Sequence, residues 1–532
     1  MEGSGERGKV LRQCTFHGWP SLQCFILFVA LLLWPARSFG QMDHIEAAAR
    51  LLNQGQMDEA EAEARQGLKN PASRALALAV LGTIRLQEAR YAESTNFLTQ
   101  ALALNPHLVG ARTTLGNAYQ FQGKTGLARK SFQEALRLDP ANFNARLDLA
   151  KVEASLHNFQ KSLEVASPIV PQLSESDEGI LLLATDYGAL GQKDELPGLV
   201  RTWRLLPEPA DESSLEFGDI LAMSGMTLEA KEIFEAEERR IVASPSPTLA
   251  LRLGRGYLSL GVLDGAERSF QLALTSSPDC SPCEQGLAEI AERQGNTEKA
   301  LALLVAAKRQ DPENPEILFA FGKVCLQRNL VEDALPALAK AVALKPSQDS
   351  YVYVLASANV AKGNLPKAAS LLAGLLRKHP RDAILNYAIG AVYYLQAKYV
   401  EADSSLKQSL RTQPDQVAAS YYLGLTFDAV GQDDQAEEVF RELLKKHPEH
   451  ALSYVKLGSI LFREHHNDEA QQLLERAVSL DPASVQAHYQ LGLLLRRLGK
   501  TEESDQQLRE SRRLESEHSA QTDVRLRLLL PD

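Results

Sequence analysis

The sequence predicts an all-α solenoid: a row of about fourteen similar helix-turn-helix units. Three observations predict it. Pro278, Pro312, Pro346, Pro380, Pro414, Pro448 and Pro482 stand 34 residues apart, and Pro106 and Pro140 repeat the interval nearer the N-terminus. A second register in the same frame carries only Gly or Ala. A third register, twelve residues further on, is small in all copies but one. Self-similarity at this period marks stacked supersecondary units rather than independent globular domains. In such a stack each unit touches mainly its neighbours, so the core is a line.

The elements follow in order along the chain. Residues 1–40 stand apart. Arg7, Lys9 and Arg12 precede an apolar run from Phe25 to Trp34, and Ser38 and Gly40 follow in a small-x-small pattern. A basic region, a short apolar core and a small-residue site describe a secretory signal peptide cut after Gly40. The alternative is an uncleaved signal anchor, because the basic region is long, although the apolar run is short for a bilayer span. The expected location is extracytoplasmic, periplasmic or secreted. Membrane contact is expected only through an uncleaved anchor.

Aligned on the prolines, residues 41–518 divide into fourteen units, with a two-residue insertion before Pro247. They begin at Gln41, Ala75, Val109, Phe143, Asp177, Asp211, Pro247, Ser281, Pro315, Asp349, Ala383, Val417, Ala451 and Val485. Each unit reads as two helices. Position 7 is apolar in every copy and position 8 is always Gly or Ala, as in Gly82, Gly116, Ala150 and Gly424. Glycine inside a helix is destabilising, so its return at one register implies the close approach of another backbone. Position 20 supplies the expected partner: it is small throughout (Ala128, Ala266, Ala436) except at Leu196. Small facing small sets a close, regular crossing. A glycine near position 15 marks the turn in many units, and the closing proline ends the second helix.

Leu115-Gly116-Asn117-Ala118-Tyr119, followed by Gly123, Ala128, Phe132, Ala135 and Pro140, resembles the tetratricopeptide repeat (TPR). So does Tyr422-Leu423-Gly424 followed by Phe427, Gly431, Ala436 and Phe440. The resemblance covers residues 41 to about 518, although no unit has the Trp common at position 4 of the family. It implies a right-handed superhelix whose concave groove is lined by positions 2, 5, 9, 12 and 13 of the first helix. It also implies a non-enzymatic scaffold that binds a protein or peptide partner in that groove.

The register weakens between 143 and 246, where Ser174, Glu208 and Val242 stand in place of the closing proline. The expected organisation is an N-terminal array over 41–176, degenerate units over 177–246 with a flexible joint near 167–247, and a C-terminal array over 247–518. The tail, 519–532, carries Val524-Arg525-Leu526-Arg527-Leu528-Leu529-Leu530. It is expected to cover the apolar flank of the last repeat.

A net charge of −11 spread along the chain argues against a nucleic-acid partner, which needs a basic face. With the leader removed, three cysteines remain: Cys280, Cys283 and Cys325. Cys280-Ser281-Pro282-Cys283 lies at a unit junction. Glu284 follows, so haem attachment fails, no second pair completes a zinc site, and no strands offer a thioredoxin-like setting. The expected reading is a structural disulfide or two idle thiols. Cys325 occupies a core register. His465-His466 falls in a polar turn with no further ligand in view. No phosphate loop, H-E-x-x-H or G-x-S-x-G occurs. No catalytic residue, metal or cofactor is expected.

Aromatic residues recur on the register that the resemblance assigns to the groove. Position 5 runs Phe319, Tyr353, Tyr387, Tyr421, Val455 and Tyr489, and position 12 adds Tyr394 and Phe462. Tyrosine suits a contact face, with large area, few rotors and a polar tip. The competing reading is that tyrosine is simply common at this register of the family. The expected function is an exported scaffold for a protein or peptide, in envelope assembly, secretion or polymer export. The alternative is an accessory subunit that binds polysaccharide through the same ladder.

Overall fold

The computed structural model describes residues 43–518. The leader at 1–40 and the tail at 519–532 therefore lie outside the described residues. Within them the chain is helical throughout, with no strand. A typical unit pairs a 13-residue first helix with a 14-residue second helix, as in Val417–Ala429 and Asp433–Lys446. Each boundary has a local cause. Proline cannot donate the next helical hydrogen bond, so the second helix stops. Two residues later a polar side chain often caps the next first helix. Asn142 accepts from the amide of Ala145 at 3.0 Å, and Asp382 from that of Leu385 at 2.9 Å. Such caps satisfy amides that have no partner inside the helix.

The turn inside each unit is more uniform than its sequence. Position 15 adopts a left-handed backbone in all fourteen units. Nine of these residues are glycine, and the others are Ala89, His157, Asn329, Ala397 and His465. Left-handed geometry lets the chain reverse in three residues, at a steric penalty for any residue with a Cβ. His465, which stood out beside His466, is thus the turn residue of its unit, at φ 69°.

The glycine at position 8 has a different partner from the one expected. A Cβ built on Gly254 would lie 2.6 Å from the ring of Phe270, and one on Gly322 would lie 2.5 Å from Leu338 Cγ. Phe270 and Leu338 are position 24 of their units. The large side chain of the second helix drops into the gap left by the glycine. Position 20 sits beside this contact and is fully buried. Where it is serine it donates to the carbonyl of position 8: Ser94 to Gly82 at 2.7 Å, Ser162 to Ala150 at 2.9 Å, Ser504 to Gly492 at 2.8 Å. Small faces backbone here, and large faces small.

The irregular stretch keeps its helix pairs but breaks or shortens the second member in two of its three units; the third has an unbroken helix, Thr227–Ala243. In the unit beginning at Phe143 the second helix ends at Ala166. A 3-10 turn (Ser167–Ile169) and a four-residue helix (Val170–Leu173) follow, forced by Pro168 and Pro171. In the next unit a 3-10 turn (Lys193–Glu195) precedes Pro197, and the second helix runs only from Leu196 to Trp203. Leu173, Leu196, Trp203 and Phe217 are nonetheless buried, and the Trp203 and Phe217 rings stack at 4.4 Å. The chain divides into two compact bodies, Met1–Glu237 and Glu238–Asp532, and the division falls within helix Thr227–Ala243.

The last helix, Thr501–His518, is longer than its counterparts. Ser504, Ser511 and Leu514 face inward, while Glu502, Glu503, Arg509, Arg512, Arg513 and Glu515 are exposed or partly so. This helix is polar on its outer side; the expected cover by the tail lies outside the described residues.

Candidate functional site

In most consecutive units of each body the first helices touch one another as well as their own partners, whereas second helices contact mainly the flanking first helices. Elements that crowd together lie on the inner side of a curved stack, so first helices line the concave face. The expected ladder sits on these helices between Pro315 and Arg497.

The ladder residues do not share one environment. Tyr489 is 48% exposed. Phe319 is half-buried and stacks on Tyr351 at 4.3 Å. Phe462 is half-buried beneath Arg497, whose guanidinium carbon lies 4.1 Å from the ring centre. Arg497 also donates to the carbonyl of Phe462 at 2.7 Å. Tyr353, Tyr394 and Tyr421 are half-buried. Tyr387 is buried at 6% exposure, so it forms the wall of the groove rather than its open surface. The reason is its neighbour Tyr422, at the adjoining register, which is 2% exposed and meets Tyr387 edge-on at 6.0 Å.

Tyr422 is the residue that sequence reasoning passed over. Its ring meets Tyr394 at 5.5 Å and Tyr421 at 6.1 Å, both edge-to-face. Tyr421 continues the set to Phe440 at 5.9 Å and His450 at 5.3 Å. Edge-to-face rings fix one another's orientation beyond the area they bury. Burial raises the phenols of Tyr353, Tyr421 and Tyr422 above their ordinary range and lowers the imidazole of His450. The phenols are therefore uncharged near neutrality, and His450 is held as neutral imidazole.

Exposed apolar area lies beside this wall. Ile384 and Leu452 are each 40% exposed and occupy position 2 of the groove register. With Tyr489 they present large apolar side chains on three units. The signal was in the sequence, but it is aliphatic and skips the unit between, where position 2 is Ala418. Charges flank the strip and are met by the neighbouring unit. Lys323 pairs with Glu292 at 2.5 Å, and Arg463 with Asp428 at 2.6 Å and Asp433 at 2.8 Å.

Outside the strip, Cys280 and Cys283 are joined as a disulfide with their Cα atoms 5.2 Å apart. Cys325 is a free, buried thiol, and burial pushes it up to about 11. Among the described residues no group of three His, Cys, Asp or Glu is arranged to hold a metal ion. No helix among them is long and apolar enough to cross a membrane.

Two tetratricopeptide repeat models match the chain, one over residues 113–174, 286–349, 353–403 and 455–513, the other over 418–450. The chain belongs to the tetratricopeptide repeat family. It is similar to cellulose synthase operon protein C of Pseudomonas fluorescens, 23% identical over 288 residues covering 51% of this chain and 20% of that protein. It is also similar to tetratricopeptide repeat protein 8 of Caenorhabditis elegans, 25% identical over 37% of this chain and 39% of that one. A third relative is the CTR9 homolog of Arabidopsis thaliana, 23% identical over 52% and 26%. The chain thus spans between a fifth and two-fifths of the length of these relatives. Among solved structures, Cut9 with Hcn1 from the APC/C aligns with TM-score 0.42 and 13% identity over 86% of this chain and 96% of that one. TPR arrays are protein-interaction scaffolds, and this chain has that architecture.

Proposed function

We propose that this protein is an exported, non-enzymatic scaffold that binds an extended protein or peptide segment along the inner face between Pro315 and Arg497. One observation carries the reading. Ile384, Leu452 and Tyr489 hold large apolar side chains exposed on a wall whose orientation is locked by Tyr387, Tyr394, Tyr421 and Tyr422. A rigid wall with exposed apolar anchors binds without a large ordering penalty. The basic, apolar and small-residue pattern of residues 1–40 supports export, in a role such as envelope assembly, secretion or polymer export.

A second reading is favoured by the similarity to cellulose synthase operon protein C: the same face would hold a polysaccharide. Selection from a random peptide display library separates the two. The expected outcome is enrichment of peptides with spaced apolar residues, and loss of their binding in an Ile384→Ser/Leu452→Ser variant. Retention of soluble glucan, with no peptide enriched, favours the second reading. N-terminal sequencing of the protein recovered from its native host tests export: the mature chain is expected to begin at Gln41.

A further inference from the structure

We propose that Cys280–Cys283 is a thiol-exchange site, with Cys280 as the sulfur that takes up a low-molecular-weight thiol. The inference is independent of what binds the groove. Cys280 is the N-cap of helix Ser281–Arg293, and its sulfur accepts from the Cys283 amide at 3.3 Å. Sulfur at that position faces the positive end of a helix, which favours the thiolate. Cys280 is half-exposed, whereas Cys283 is completely buried. An external thiolate can therefore reach only one of the two sulfurs.

The fold does not depend on the covalent link. Six other units make this junction with an uncharged or acidic cap and no bridge: Asn142, Ser176, Ser246, Asn314, Asp382 and Ser484 all accept from the amide three residues on. Cys280 stands where those residues stand, and its sulfur can make the same hydrogen bond whether or not it is bonded to Cys283. The bridge also closes only a very short loop, the case in which a disulfide stabilises least. Oxidised and reduced forms thus fit one backbone.

The exchange balances as follows. The thiolate of an external thiol attacks Cys280 Sγ, a mixed disulfide forms there, and Cys283 leaves as a thiolate that takes a proton from water. A second equivalent of the thiol attacks the external sulfur, forming the small-molecule disulfide and releasing Cys280. The protein gains two electrons and the two thiols lose them.

Glutathione tests this on the folded full-length protein, supplied reduced to the wild-type disulfide and as glutathione disulfide to the single-cysteine variants, whose thiolate displaces one glutathione from the other, and read by intact mass and peptide mapping. The Cys283→Ala variant is expected to carry glutathione on Cys280. The Cys280→Ala variant is expected to leave Cys283 unmodified until urea unfolds it. Alkylation of the remaining sulfur of the pair, located by peptide mapping, should be at least about tenfold faster in the first variant than in the second. A Cys280→Asp variant restores the cap that Asp382 supplies elsewhere, so its helix content should match wild type and separate loss of exchange from loss of folding. The proposal is overturned if native wild type stays oxidised in excess dithiothreitol, or if Cys283 captures glutathione as readily as Cys280.

Discussion

Gly424 and Phe440 share one volume: a Cβ on the glycine would lie 2.6 Å from Cζ of the ring. The same relationship links Gly254 to Phe270, and Phe270 is also held from the far side by Gly286 of the next unit. All four phenylalanines at position 24 face glycine, while alanine at position 8 faces Ala64, Ala166, Val200, Leu304 or Leu372. The largest side chain at position 24 thus occurs only where position 8 has no Cβ, while leucine is paired with either glycine or alanine.

Overpacking this contact should be destabilising. Gly424→Ala adds helix propensity but forces the Phe440 ring to move. A net loss of about 1–3 kcal/mol is expected in urea unfolding. Combining it with Phe440→Leu, the pairing that Ala288 and Ala356 already make, should recover most of that loss. Equal instability of the double variant would show that the ring is not the cause.

Relieving the left-handed turns should do the opposite. Ala397 holds φ 58°. Ala397→Gly removes the Cβ clash and is expected to stabilise by about 1 kcal/mol, less what the unfolded chain gains in freedom. Gly431→Ala, at the same register, should lose a similar amount. Thermal melts of the two variants check both signs.

Asp186 should make stability depend on pH near neutrality. It is completely buried, at a register filled by Ile84, Val152 and Ile290 in other units. Burial pushes its carboxyl up to about 7, and the Ser162 hydroxyl, which donates to Ala150, offsets this only in part. The folded state therefore keeps a proton that the unfolded chain releases near pH 4. This stability is fully present below that point, falls by up to about 1.4 kcal/mol per pH unit as pH rises, and levels off above 7. Asp186→Asn should remove that slope. Asp148, raised to about 6, titrates in the same window, so the difference between wild type and variant isolates Asp186.

At the other end of the pH scale, Arg85 ties two units together. It is buried at 5% exposure and meets Glu61 of the preceding unit at 2.6 Å and Glu88 at 2.7 Å. Its guanidinium holds the Glu61 carboxyl below the usual carboxylate range. That contribution is present above the ordinary glutamate pKa and lost as pH falls through the lowered one. Arg85→Met should lower stability at pH 7 by about 1–3 kcal/mol and by less at pH 3. An unchanged difference at both values would mean that packing of the stem, not charge, is what the arginine supplies.

The sequence carried the fold well because its period is redundant. Proline, position 8, position 20 and the turn each repeat the same frame, so the unit starting at Asp177 is placed even though its closing proline is missing. The turn is less legible where Ala89 or His157 replaces glycine, since only the backbone shows that they adopt the same φ. Within the groove, type and position were readable but depth was not. Tyr387 and Tyr421 look alike at one register, yet only the neighbouring Tyr422 decides that the first is buried. The match between positions 8 and 24 was present in the letters. It is hidden there because position 20, the small register, repeats as regularly as position 24 and lies beside the same contact.

The matched pair at positions 8 and 24 has a consequence for how such a chain can lengthen. Steric compatibility is settled largely inside each 34-residue block, so a block can be copied or removed whole without renegotiating the spacing of its own two helices. Phe270, pinned by a glycine in the following block, marks a seam where that freedom is withdrawn. The array is thus modular in most places and welded in at least one.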